Sequence, residues 1–198
     1  NIRPSQNDRI NLIFFDERNE YLRVPEGSGI IAVTRINSIT KTGEIIDADI
    51  IFNGNDFEFS AENLSVNSIN LIDVAVHEVG HLIGLEHTPI DGHPRVRPTM
   101  NPYNRGDEQG QAKTLEPDDI AGISYLYPSD DYSRQIGNVS GEIFDSDGNP
   151  IFGVHVVAKN INNGSMISTV SGANAKNMNI GEYQINLTNH HPILYRKY

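Results

Sequence analysis

Residues 77–87, "HEVGHLIGLEH", carry three histidines and a glutamate at spacings that suit a metal centre. His77 and His81 are four residues apart. On a helix that makes them neighbours on one face, about 5–6 Å apart at Cβ. Both imidazoles can then reach one zinc ion at about 2.0–2.1 Å. Glu78 follows His77 and can lie beside the metal without joining its ligands, where a general base for water belongs. A catalytic zinc needs a third protein ligand and an open position. Gly84 can adopt a positive φ and turn the chain sharply, which lets His87 come back towards the pair. Three neutral imidazoles leave the site at net +2, which favours lowering the pKa of bound water from 15.7 towards about 7.

His-Glu-x-x-His alone is also compatible with an ordinary apolar helix. With Gly84 and His87 the pattern fixes five positions, and in a chain of this composition it arises by chance with a probability on the order of 10⁻⁵. The stretch also sets ionisable groups among its most apolar neighbours, which is costly unless something compensates them. A zinc ion does.

The elements that must position these residues can be read from the pattern. Residues 68–84 have the apolar period of a helix, with Ile69, Ile72, Val76, Val79 and Ile83 on one stripe and Leu71, Val74, Ala75 and Leu82 widening it. That predicts a mostly buried helix, capped by Ser68 or Asn70 and stopped at Gly84. Upstream, 10–15, 29–36 and 44–52 read as strands rich in β-branched residues. Residues 88–116 read as loop, and 117–126, "PDDIAGISYL", as a second helix with Pro117 in its first turn and Asp118 and Asp119 at its positive end. The polar "YPSDDYSRQ" reads as a linker. Beyond residue 136 the chain shows only strand and turn signals, among them "DSDGNP".

Composition sets the outer limits. A hydrophobic share of 37% with 21% charged residues in 198 residues fits a globular chain. A net charge of −11 argues against nucleic acid and anionic membrane surfaces, leaving peptides and polysaccharides as partners. No apolar run reaches membrane-spanning length. With no cysteine, disulfides, thiolate chemistry and cysteine-type zinc sites are excluded. The start lacks a charged and then apolar leader, so an export signal, if there is one, has been removed or lies outside this sequence.

The zinc pattern resembles the metzincin signature, and the resemblance narrows to the matrixin (peptidase M10) family over residues 10–128. Thr88 stands where matrixins have Ser or Thr after the third histidine. "PTMNP" (98–102) is similar to the Met-turn, and "LEPDDIAGISYLYP" to the C-terminal helix segment. "GIIAVT" looks like the substrate-receiving edge strand, and "IIDADIIFN" like the strand beside it. The resemblance implies His77, His81 and His87 as zinc ligands, Glu78 as general base and Met100 as the Met-turn support. It implies Asp118 and Asp119 as buried braces, although helix N-terminal acids would look the same. Ile31, Ala32 and Val33 would bind substrate, with the Ala32 carbonyl receiving a hydrogen bond from the scissile amide. It further implies a secreted, extracellular zinc endopeptidase that hydrolyses extended polypeptides through zinc-activated water.

The chain also departs from the family pattern. The interval from His87 to Met100 is long and contains His93, either a stray loop histidine or a competing ligand. Asn104 replaces a usual tyrosine, with Tyr103 one place earlier. Val33 and Asp49 occupy the positions nearest those of a second zinc's histidines, so one zinc is expected. Asp47, Asp49 and Asn53 offer oxygens for calcium, but a solvated strand end explains them equally well. Residues 1–9 are too short for the strand and helix that open a matrixin domain, which would leave a sheet face bare.

The C-terminal part resembles a carboxypeptidase regulatory-like, transthyretin-type β-sandwich, carried by "VSGEIFDSDGNPIFGVHVVA" and "GEYQINL". The expected architecture is therefore α+β: a peptidase domain over 1–128, with a twisted mixed sheet and active-site helix; a linker over 129–135; and an all-β sandwich over 136–198. The competing reading is a catalytically silent metzincin-like protein, with structural zinc and a β-domain that docks on a cell surface or polysaccharide.

Overall fold

The run "IIDADIIF" is rich in β-branched residues and wholly apolar at Ile46, Ala48, Ile50 and Phe52 on one face, which suits the middle of a sheet, and it lies there. A computed structural model of the chain describes residues 3–5, 7–61, 67–88, 97–103, 113–132, 136–172, 179–188 and 195–197. The chain falls into two compact units, Asn1–Glu86 with Tyr103–Thr114, and His87–Pro102 with Leu115–Tyr198.

In the first unit, β1 (Ile13–Phe15), β2 (Ala32–Ser38) and β3 (Ile45–Phe52) form a mixed sheet in the order β1-β3-β2. β1 runs parallel to β3, and β2 antiparallel to it. On one face Ile50 and Phe52 form a core with Val74, joined by Ala32, Phe59, Ile69, Leu71, Ala75 and Leu82. Phe15 stacks on Phe52 at 4.9 Å, and Phe59 meets Phe52 edge-on at 5.3 Å.

The opposite face of β3 is not bare. Asp47, Asp49 and Ile51 are buried on it. The Ser5 and Leu12 N–H groups donate to the two Asp49 oxygens at 2.7 and 3.0 Å, and the Asp8 N–H donates to Asp47 Oδ2 at 3.3 Å. Asn53 is buried as well; its side chain donates to the Ile30 carbonyl at 2.9 Å and accepts the Asp56 N–H at 3.1 Å. A solvated strand end therefore does not describe Asp47, Asp49 and Asn53. They satisfy backbone groups that strand pairing leaves over.

β4 (Glu58–Ser60) pairs in parallel with β5 (Ser68–Asn70), and α1 spans Leu71–Leu82. The helix thus starts three residues later than its periodicity predicts. Asn70 is the reason: its side chain accepts the N–H groups of Ile72 and Asp73 at 3.0 and 3.2 Å, satisfying two donors that the first turn leaves over. The buried stripe also differs from the expected one. Val74, Glu78 and Gly80 are buried, whereas Ile72 and Val79 are 38% and 41% exposed. Hydrophobic spacing gives the period of the helix, but docking on the sheet selects the face.

The second unit contains α2 (Pro117–Leu126) and strands β6 (Ile136–Glu142), β7 (His155–Asn160), β8 (Met166–Val170), β9 (Glu182–Thr188) and β10 (Tyr195–Lys197). The strands form two antiparallel sheets, β6-β9 and β10-β7-β8. Ala158 and Ile167 from one sheet and Tyr183 and Ile185 from the other share a core with Ala121 of α2. Contact thus groups α2 with the β-strands, while the sequence boundary at 128 groups it with the peptidase region.

Candidate metal centre

The three histidines lie on one continuous segment, and local structure brings them together. α1 presents His77 and His81 one turn apart, with Nε2 to Nε2 at 3.1 Å. The helix ends at Ile83, and Gly84 takes φ +100°, a conformation that costs a residue with a Cβ dearly. The Leu85 N–H closes the turn on the Gly80 carbonyl at 2.9 Å. His87 then arrives with the pair, and ligand atoms of His77, His81 and His87 all lie within 4.8 Å of one another. Among the described residues no other set of histidine, aspartate and glutamate side chains gathers in this way.

The donor set fits zinc. Two nitrogens on one tetrahedral ion at about 2.0–2.1 Å stand roughly 3.3 Å apart, close to the separation of the two Nε2 atoms. His81 Nδ1 lies 2.8 Å from the Leu85 carbonyl. A carbonyl can only accept, so Nδ1 carries the proton and Nε2 keeps its lone pair for a metal. Histidine ligands are commonly oriented by such an outer hydrogen bond.

Glu78 is buried on the same stripe of α1 as Val74. Thr34 Oγ1 on β2 lies 2.6 Å from Glu78 Oε2 and 3.0 Å from the Glu78 carbonyl. Thr34 thereby fixes the direction of the carboxylate that follows His77 in the helix. Nothing in the zinc pattern points to Thr34. The signal was its parity on the strand, since Ala32 and Thr34 are two apart and share the face that meets α1.

β2 is an edge strand among the described residues. The Ile31 carbonyl accepts the Asn53 N–H at 2.9 Å. Peptide groups alternate in direction along an antiparallel strand, so Ile31 and Val33 turn theirs to β3. Ala32 turns its carbonyl and N–H to the unpaired side.

Met100 is buried, and a ladder runs from α2 through it to the residue after His87. Asp119, buried itself, accepts the Thr99, Met100 and Glu116 N–H groups at 2.9, 3.2 and 2.9 Å. The Met100 carbonyl in turn accepts the Thr88 N–H at 3.0 Å. Asp118 points elsewhere: it accepts the Ser168 N–H of β8 at 2.6 Å. His93 and Asn104 lie outside the described residues.

The matrixin family model, peptidase M10, matches residues 3–128, more than half of the chain. The chain belongs to the matrixin family. No curated protein and no solved structure matches it. Matrixins are zinc metallopeptidases, hydrolases with protein substrates, and His77, His81 and His87 fit a matrixin zinc site. The mixed α and β architecture is compatible with a matrixin domain. No helix among the described residues is long and apolar enough to cross a membrane.

Asp118 makes pH a test of how this matrixin chain is braced. Burial raises its pKa to about 6, against the opposing hydrogen bonds from Ser168 and Thr88 and with a further push from Asp119. The unfolded carboxyl releases its proton near 3.8, but the folded one keeps it until about 6. Between those values the fold binds more protons, so rising pH lowers its stability; above about pH 6 the loss is complete. Unfolding measured from pH 4 to 7 should show wild type losing up to about 3 kcal/mol relative to Asp118→Asn. Parallel curves for the two proteins would refute the assignment.

Proposed function

We propose that the chain is a secreted zinc endopeptidase, with His77, His81 and His87 holding one zinc ion and Glu78 as general base. The observation that carries this reading is the convergence of the three histidines beside a buried glutamate whose carboxylate is already oriented. When bound, zinc supplies Lewis acidity, polarising the scissile carbonyl and acidifying water. The chain's own groups do the rest. Glu78 takes the proton from water and passes it to the leaving nitrogen. The unpaired side of β2 accepts an extended peptide by backbone pairing, with Ala32 offering its carbonyl and N–H between Ile31 and Val33. Asp119 and Met100 support the residues that follow His87.

The family match to residue 128 supports drawing the peptidase domain to that point, with 129–135 as connection and 136–198 as a carboxypeptidase regulatory-like β-sandwich that contacts a cell surface or polysaccharide. Asp49 and Asn53 already bond backbone groups, and the proposal needs no calcium. Secretion follows the family habit and suits a chain that works on extracellular protein.

The test is turnover of a quenched fluorescent peptide library by the zinc-loaded chain. Cleavage should disappear with a chelator and return with zinc. A loaded protein that binds zinc tightly but cleaves nothing would leave the silent, surface-binding reading in its place.

A further inference from the structure

A general base in peptide hydrolysis cycles between carboxylate and carboxylic acid, so its neighbours must suit both forms. Glu78 is buried, and a buried carboxyl that loses a hydrogen-bond partner midway through the cycle is penalised. Thr34 stands where it can prevent this. Its hydroxyl oxygen lies 2.6 Å from Glu78 Oε2 and 3.0 Å from the Glu78 backbone carbonyl. A hydroxyl has one proton to donate and two lone pairs that accept.

Resting on the peptidase reading above, we propose that Thr34 is a positioning residue for Glu78, serving both its protonation states by rotation of one hydroxyl. While Glu78 is ionised, the Thr34 O–H donates to Oε2. Once Glu78 has taken a proton, Oε2–H donates to Thr34 Oγ1, and the Thr34 proton swings to the Glu78 carbonyl. No covalent bond changes partner in this step, and the carboxyl stays at one place and one rotamer throughout.

The geometry favours this role over simple helix docking. An apolar residue of similar shape would pack α1 against β2 equally well, as Ala32 does two residues earlier in the same core. A hydroxyl is needed only for the polar partners. β2 also has an open side among the described residues, so the strand proposed to bind substrate carries the group that aims the base. Substrate that pairs with Ala32 is then placed by the same strand that holds Glu78.

The experiment compares wild type, Thr34→Val, Thr34→Ser and Glu78→Ala in the full chain, using the peptide substrate found in the library. Thr34→Val should lower kcat about 10-fold or more, with KM and zinc affinity unchanged. Thr34→Ser, which keeps the hydroxyl, should return kcat to within about threefold of wild type. A second readout avoids activity altogether. In the metal-free proteins, the Tm changes of Thr34→Val and Glu78→Ala should fail to add in the double variant by about 2–4 °C, because each removes the same hydrogen bond.

Wild-type kcat in Thr34→Val, equal losses in the Val and Ser variants, or strictly additive Tm changes would each overturn the role of Thr34 in a working peptidase. A fall in zinc affinity that matches the fall in kcat would make Thr34 structural, and would overturn it too. A wild-type chain that cleaves no peptide overturns the peptidase reading and the catalytic role with it, while the Tm coupling still reports the bond to Glu78.

Discussion

Glu78→Ala should remove peptide turnover and leave zinc in place. The kcat should drop by about 10²–10⁴-fold, the usual contribution of a positioned general base. The metal should stay because the proposed ligands are His77, His81 and His87, whose donor atoms cluster without any carboxylate. The His81–Leu85 hydrogen bond that orients one ligand does not involve Glu78 either. The measurement is kcat on one cleaved peptide, paired with metal content on the same sample. Zinc lost in step with activity would make Glu78 part of the metal cage. Activity within a few fold of wild type would remove it from the chemistry.

His87→Ala should produce the opposite pattern, with the fold kept and the metal lost. His87 is exposed, so truncating it costs the apo-protein little, within about 0.5 kcal/mol. Two histidines on one helical turn remain, and zinc affinity should fall at least about 100-fold. Because bound zinc stabilises only the folded state, the rise in Tm on adding zinc to wild type should nearly vanish in the variant. The informative control is His93→Ala. If zinc binding tolerates His87→Ala but is lost with His93→Ala, the third ligand is residue 93 and the role of the Gly84 turn must be given up.

The metal pattern was legible because it is local. Two histidines four apart on a helix, a glycine at φ +100° and a third histidine three residues later involve eleven residues of continuous chain. Their spacing is dictated by helix pitch and by what only glycine tolerates. α2 was equally legible, since Pro117 and the acidic first turn mark its start, and it runs over Pro117–Leu126. The three strands of the first sheet were placed to within a few residues by their β-branched runs.

Long-range partners decided the rest. Sequence alone did not show that 68–70 would leave the helix for a parallel pairing with 58–60, because the cap at Asn70 and the strand beside it are independent of apolar period. It also gave no sign of which stripe of α1 would be buried, and so put Ile72 and Val79 inside. Asp47 and Asp49 looked like solvent-facing acids, but the backbone N–H groups of Ser5, Asp8 and Leu12 bond to them. Thr34 and Glu78 are 44 residues apart, and only the docking of α1 on β2 makes them partners. The sequence by itself determined that three histidines and a base could meet one metal, because short-range geometry suffices for that. Tertiary structure alone decided that Thr34 bonds the Glu78 carboxylate and that Met100 bonds the residue after the third histidine, because those hydrogen bonds join segments that share no local pattern.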